Sequence, residues 1–108
     1  MNIFRVAAFV AGTLSLVSPT KADILTENCT AIGELARNIM QKRQTGTDMS
    51  EMMAVVDKFD KDPNLKDLAR QMVILAYQMP LFSVEENKQQ TISEFANNIQ
   101  VRCYSNSH

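Results

Sequence analysis

The sequence predicts an all-α fold, a small four-helix bundle, on three observations. Apolar residues recur at spacings of three and four through most of the chain after residue 22. No long stretch alternates apolar and polar residues as a strand would, and the whole chain has only three glycines. Two cysteines, Cys29 and Cys103, lie near the two ends of the helical region. The pattern indicates helices packed on one core, with one covalent link between the first and the last.

The first 22 residues are predicted to be a signal peptide rather than part of the fold. A basic start leads into an apolar run over residues 6–17, which is too short to span a bilayer. A helix-breaking Ser-Pro pair follows, and the small residues Thr20 and Ala22 occupy the −3 and −1 positions of a signal-peptidase site. We therefore expect cleavage after Ala22 and a single helical domain over residues 23–108. That domain would be exported, periplasmic and without a membrane span.

The first predicted helix begins near Thr26 and ends near Gln44, where Gly46 is expected to terminate it. Its apolar stripe consists of Cys29, Ile32, Leu35, Ala36, Ile39 and Met40. A single stripe of this width predicts a helix with one face in the core.

A short second helix is predicted to follow, with Asp48 and Glu51 at the spacing of a capping box. Its apolar face consists of Met49, Met52, Met53, Val56 and, at its end, Phe59. Thioethers in an exported protein can bind Cu(I), so the three methionines are also candidate copper ligands. The same spacing is what a core face requires, and core packing is the favoured interpretation. A third interpretation is an adaptable apolar interface, because flexible thioethers suit a surface that must fit a partner.

The third helix is predicted to follow a turn over residues 60–64, with Pro63 at its first position, and to stop at Pro80. Its stripe consists of Leu65, Leu68, Ala69, Met72, Leu75, Ala76 and Met79. Ser83 and Glu86 then form a second capping-box spacing, which predicts a fourth helix beginning near Val84. The apolar face of that helix consists of Ile92, Phe95, Ala96, Ile99 and Cys103.

Cys29 and Cys103 are expected to form one structural disulfide. An exported chain meets an oxidising compartment, where such a pair normally closes. A redox-active pair would usually be Cys-x-x-Cys, and a metal site would need further ligands, whereas the only histidine is His108. We therefore expect no metal and no cofactor, and a bridge that clasps the two ends of the bundle together.

The charge balance disfavours nucleic acid as a partner. Removal of residues 1–22 takes away two basic residues and moves the formal net charge from −1 to −3, and a mildly acidic protein binds polyanions poorly.

Catalysis is disfavoured as well. The sequence has no internal histidine, both cysteines are expected to be oxidised, and no serine lies in a recognisable nucleophile setting. The protein is therefore not expected to be an enzyme.

One basic stretch is the candidate for a partner-binding surface. Arg37, Lys42 and Arg43 lie in the second half of the first predicted helix, and Gln44 follows at its end. Cations in the last turn of a helix also complement the partial negative charge of its carbonyl end, so a solvated helix end explains the same residues. The sequence does not distinguish a partner-binding surface from a solvated helix end. Arg37, Lys42, Arg43 and Gln44 are the candidate contacts with a partner.

An early Cys29, a basic helix end running into residues 43–46, and a late Cys103 behind a signal peptide form a recognisable pattern. The pattern resembles a loose group of short exported proteins of bacteria and bacteriophages. The resemblance implies export and a helical fold, and it implies no mechanism. Small periplasmic acid-stress chaperones are similar in outline, being exported, helical and held by one disulfide.

Together these observations predict a small exported helical domain that acts by binding, with another protein of the cell envelope as its partner. The surface would be the corner formed by the basic stretch and the start of the second helix. Three alternatives stay open: a periplasmic stress chaperone active at low pH, a phage-derived envelope protein that blocks infection or inhibits a wall enzyme, and a Cu(I) carrier. A homodimer also stays open, because a second copy can complete a small core.

Overall fold

Four α-helices account for most of the part of the chain that the structure describes. The computed structural model describes residues 21–59 and 61–106, and residues 1–20, which hold most of the predicted signal peptide, lie outside them. The helices are α1 (Lys21–Gln44), α2 (Met49–Val56), α3 (Pro63–Gln78) and α4 (Glu85–Ser105). These residues contain no strand, and none of the described helices is long and apolar enough to cross a membrane. The all-α prediction is confirmed.

Helix α1 ends where the sequence predicts but begins earlier. It begins at Lys21 rather than near Thr26, because the residues between them include good helix formers and no glycine or proline. The predicted cleavage after Ala22 falls in its first turn and stays a prediction. At the other end, Gly46 has a φ of 92°, a left-handed conformation that glycine adopts at little cost.

Of α2, α3 and α4, only α3 has a side-chain cap. Asp62 caps α3, accepting hydrogen bonds from the backbone N–H groups of Asn64 at 3.1 Å and Leu65 at 3.2 Å, with Pro63 at the first position as predicted. Asp48 occupies the N-cap of α2 but its side chain makes no capping bond. Val84, not Ser83, is the N-cap residue of α4, and it too makes no side-chain bond.

Both predicted capping boxes are therefore wrong. The starts of these two helices lie at the surface, where residues such as Asp48 and Glu85 are exposed. Water can satisfy the first N–H groups of an exposed helix, so a side-chain cap is not required there.

The helices alternate in direction along the bundle. The end of α3 lies beside the end of α1, where Arg43 hydrogen-bonds the carbonyl oxygen of Met79. The start of α4 lies at the same end, because the Lys88 ammonium donates to the Gln44 carbonyl oxygen at 2.6 Å. Helix α4 then returns along α1 to the Cys29–Cys103 disulfide, whose Cα atoms are 5.5 Å apart. Helix α2 runs against α3, because Tyr77 near the end of α3 binds Thr47 before α2, and Arg70 earlier on α3 pairs with Asp57 after it. Thus α1 and α3 run one way, and α2 and α4 run the other.

The core is built from the inner faces of all four helices. It consists of Ala36, Ile39, Met40, Met52, Val56, Ala69, Met72, Val73, Ala76, Ile92, Phe95 and Ile99. Helices α1 and α4 share the most extensive contact among the described helices, and Gly33 allows a close approach at one point. A Cβ atom at Gly33 would collide with the Gln100 side chain, whose amide Nε2 donates to the carbonyl oxygen of Cys29 at 3.5 Å. The predicted disulfide, with Cys29 fully buried, closes this helix pair.

Candidate functional site

Gln44 is buried at the end of the bundle where the sequence places the candidate surface. Only 1% of it is exposed. Its side-chain Nε2 donates to the carbonyl oxygen of Pro80 at 2.8 Å, and its Oε1 accepts from the backbone N–H of Phe82 at 3.0 Å. Lys88 binds its backbone carbonyl oxygen. Gln44 therefore joins α1 to the α3–α4 loop and to the start of α4, and in this conformation it offers no polar atom to a partner.

Arg43 is fixed against the same loop. Its Nε and Nη2 atoms donate to the carbonyl oxygen of Met79 at 3.2 Å and 3.0 Å. Its guanidinium lies over the Tyr77 ring, 5.1 Å from the centroid, within the range of a cation–π contact. The cation is half-buried and holds the end of α3 against the end of α1.

Arg37 and Lys42 do not join Arg43 in one cluster. Arg37 is paired with Glu34, one turn earlier on α1, at 3.6 Å, whereas Lys42 is exposed in the last turn. Arg37 and Lys42 are five positions apart, which corresponds to about 7.5 Å along the helix axis and about 140° around it. The structure therefore divides the predicted basic surface: Lys42 is the exposed cation at the bundle end, and Arg37 lies elsewhere on α1.

Beside its charged side chains, this end exposes a group of apolar ones. Met79, Leu81 and Val84, which we call the loop tip, are 39%, 48% and 53% exposed in the α3–α4 loop. Met49, at the start of α2, is 39% exposed at the same end. The predicted core positions of Met49 and Met79 are therefore wrong. The signal that was missed is a loop that is mostly apolar, Met-Pro-Leu-Phe-Ser-Val, where turns are usually polar.

The loop tip stands on a fixed backbone. Gln44 binds the loop on both sides of Leu81, at Pro80 and Phe82, and Arg43 binds it at Met79. Half-exposed apolar side chains on a backbone that is already ordered lose little conformational entropy when a partner covers them.

The methionines of α2 do not present three thioethers at one exposed point. Met52 is 7% exposed and belongs to the core, and Met53 is half-buried and packs against it. The described residues also contain no group of three His, Cys, Asp or Glu side chains placed to hold a metal ion.

Tyr77 connects the end of α3 to the loop that precedes α2. Its hydroxyl donates to the carbonyl oxygen of Thr47 at 2.6 Å. Burial raises the pKa of Tyr77, the carboxylates of Asp48 and Glu51 raise it further, and the Arg43 cation opposes the change. The neutral hydroxyl, which is needed to donate this bond, is therefore favoured in the folded state.

Tyr77→Phe is expected to lower the free energy of unfolding by about 1 kcal/mol at neutral pH, the typical net contribution of one hydrogen bond. The pKa of Tyr77 is higher in the folded state than in the unfolded chain, where it is near 10. The hydroxyl therefore contributes its full stabilisation below about pH 10. This stabilisation is lost as the pH rises through the folded value. Urea unfolding of both proteins from pH 7 to pH 11 should therefore show the difference closing at the alkaline end.

Tyr104→Phe is the matched control for the Tyr77 measurement, since Tyr104 is 42% exposed at the opposite end of the bundle. It removes the same hydroxyl group from a side chain whose partner is the exposed Thr30 hydroxyl, at 3.4 Å, and not the Thr47 carbonyl oxygen. A difference between Tyr77→Phe and wild type that stays constant up to pH 11 would contradict the stated role of Tyr77.

Comparison of the chain with models of protein families, with curated proteins and with solved structures finds no match.

Proposed function

We propose that this chain is a small exported helical protein, without catalytic activity, that acts by binding another protein of the cell envelope. The observation that supports this proposal most is the loop tip. Its apolar side chains are exposed, and hydrogen bonds from Gln44 and Arg43 hold its backbone in place. Three exposed apolar side chains within six residues of one ordered loop are a candidate protein-binding surface.

The compartment is part of the same proposal. A disulfide that joins the first and last helices is stable in an oxidising compartment and is rare where glutathione keeps thiols reduced. The apolar run and small residues before position 23 fit export through a cleaved signal peptide. Both features support a periplasmic location.

The charges around the loop tip favour a protein over an anionic surface. The exposed cation Lys42 has the acidic side chains of Asp48, Glu85 and Glu86 at the same end of the bundle. A mixed end of this kind repels a uniformly anionic surface at some points and attracts it at others. It suits a partner with an apolar depression and a mixed polar rim, the usual composition of a protein interface.

Replacement of Leu81 and Val84 by serine is expected to weaken retention of the partner at least tenfold. Fully covering one such side chain contributes about 1.5–3 kcal/mol, so loss of two half-exposed ones costs more than the roughly 1.4 kcal/mol that equals tenfold. The measurement is capture of envelope proteins by the immobilised, oxidised protein, with quantitative mass spectrometry of what is retained. The variant Lys42→Glu, measured in the same assay, tests whether the exposed cation of the predicted basic surface contributes to binding.

The matched control is Val101→Ser, because Val101 is 60% exposed near the opposite end of the bundle. Retention of one specific partner by wild type and by the control, but not by the loop-tip variant, would support the proposal. Equal retention by all three proteins would refute the role of the loop tip. A broad set of unrelated proteins that grows as the pH falls would instead favour the stress-chaperone alternative.

A further inference from the structure

The most exposed methionines of the described residues, Met49 and Met79, lie at the same end of the bundle. Each is 39% exposed. The hydrogen bond from Tyr77 to the Thr47 carbonyl oxygen joins the segments that carry them, since each methionine is two residues from one member of this pair. The other methionines that the structure describes are buried or half-buried: Met40, Met52, Met53 and Met72. Accessible sulfur is therefore concentrated at the end that carries the loop tip.

Met79 is the only residue of the loop tip whose side chain reacts with a mild oxidant. A peroxide transfers one oxygen atom to the thioether sulfur: the O–O bond breaks, an S–O bond forms, and the sulfur loses two electrons. With hydrogen peroxide the products are methionine sulfoxide and water. The oxidant reaches Met79 in the folded protein, whereas Met40 and Met72 are at most 1% exposed and react only when the structure opens.

Oxidation of Met79 would change the chemistry of the loop tip without moving its backbone. Two N–H groups of Arg43 bind the Met79 carbonyl oxygen, and the Met79 N–H donates to the Ala76 carbonyl oxygen. None of these bonds uses the Met79 side chain. A sulfoxide would therefore place a polar S–O group on an unchanged surface. A partner that fits an apolar side chain would have to desolvate this group without offering it a hydrogen-bond donor.

We propose that Met79 is a site of reversible oxidation, and that its sulfoxide switches the loop tip from a binding to a non-binding surface. The reverse step is the reduction of the sulfoxide by a methionine sulfoxide reductase, in which two thiols form a disulfide and the oxygen leaves as water. The oxidation site is inferred from the exposure of Met79. Its effect on binding rests on the proposed function of the loop tip.

Peptide mapping by mass spectrometry, after graded treatment of the disulfide-bonded protein with hydrogen peroxide, tests the oxidation site. We expect sulfoxide to form at Met49 and Met79 at least about tenfold faster than at Met40 and Met72, because a buried sulfur has to wait for an opening. The midpoint of thermal unfolding should stay the same, since the modified side chains lie at the surface. Equal rates at exposed and buried sulfurs, or a lower midpoint, would overturn the inference.

Capture of envelope proteins by the immobilised protein, with the peroxide removed before the extract is added, tests the effect on binding. The sulfoxide should weaken retention of the partner at least about fivefold, and reductases for the two sulfoxide epimers should restore it. Each variant is compared with itself before treatment. Retention by Met79→Leu should not change on treatment. Met49→Leu is the matched control, because Met49 is equally exposed but lies outside the loop tip, and its retention should fall as that of wild type does.

Two results of the capture would contradict the switch. One is equal retention of the partner by treated and untreated wild type. The other is the same loss of retention in Met79→Leu, because another residue would then be responsible. Absence of a specific partner before any treatment would refute the proposed function of the loop tip and the switch with it. The mapping of sulfoxides would still confirm or refute Met79 as the oxidation site, so the two failures are distinguishable.

Discussion

Reduction of the Cys29–Cys103 disulfide is expected to lower the free energy of unfolding by about 4 kcal/mol, because the bridge closes a long loop in the unfolded chain. The two cysteines are 74 residues apart. For a domain of this size the loss corresponds to a decrease in Tm of about 15–30 °C, a large part of a total stability of about 5–15 kcal/mol. Guanidinium unfolding of the oxidised and reduced proteins, followed by circular dichroism, measures the difference directly.

The control is the protein with both cysteines replaced by alanine, to which the reductant is added in the same way. It should unfold near the midpoint of the reduced wild type and show no response to the reductant. An oxidised wild type that unfolds at the same denaturant concentration as this variant would contradict a stabilising bridge. It would mean that the packing of α1 against α4 alone holds the two helices together.

Gln44→Leu is expected to lower the free energy of unfolding by about 2 kcal/mol although it places an apolar side chain in a buried position. The loss follows because the Phe82 N–H and the Pro80 carbonyl oxygen lose their partners in a part-buried loop, and unsatisfied polar groups cost about 1–3 kcal/mol each. Hydrogen exchange of the Phe82 amide, measured by NMR, should become at least tenfold faster. The same variant should weaken binding of the envelope partner, because the loop tip would no longer be held.

Gln41→Leu is the matched control, since Gln41 lies one turn earlier on α1 and is exposed. It should change stability by less than about 0.5 kcal/mol, as surface substitutions usually do. Unchanged exchange at Phe82 in Gln44→Leu would mean that Arg43 and the backbone order the loop without Gln44.

The helices could be predicted because apolar residues recur in each at spacings of three and four. This spacing can be read directly from the sequence. Helix α3 shows this most clearly: Pro63 begins it, the stripe continues for four turns, and Pro80 follows its end. The disulfide could be predicted because only one pairing of two cysteines exists. The capping of α2 and α4 could not be predicted. The spacing of residues does not determine whether a side chain or water binds the first N–H groups of an exposed helix.

The candidate site was only partly predictable. A basic stretch at the end of α1 indicates a surface, but whether its members are free depends on the loop that packs against them, 36 to 38 residues further along the chain. From the sequence alone, Gln44 resembles any polar residue at the end of a helix, because its hydrogen-bond partners belong to that loop. Met79 continues the stripe of α3 by spacing, yet the helix ends at Gln78 and the residue after it faces solvent.

The position of the disulfide also determines how the domain would bear a mechanical load. If tension were applied to the chain before Cys29 and after Cys103, it would pass from α1 to α4 through the sulfur bridge. The chain between the cysteines, which would extend by about 250 Å if it were free, would carry none of that force. Gln44 and the loop tip lie within this unloaded segment, so the surface that a partner meets would keep its shape while the ends of the protein are pulled.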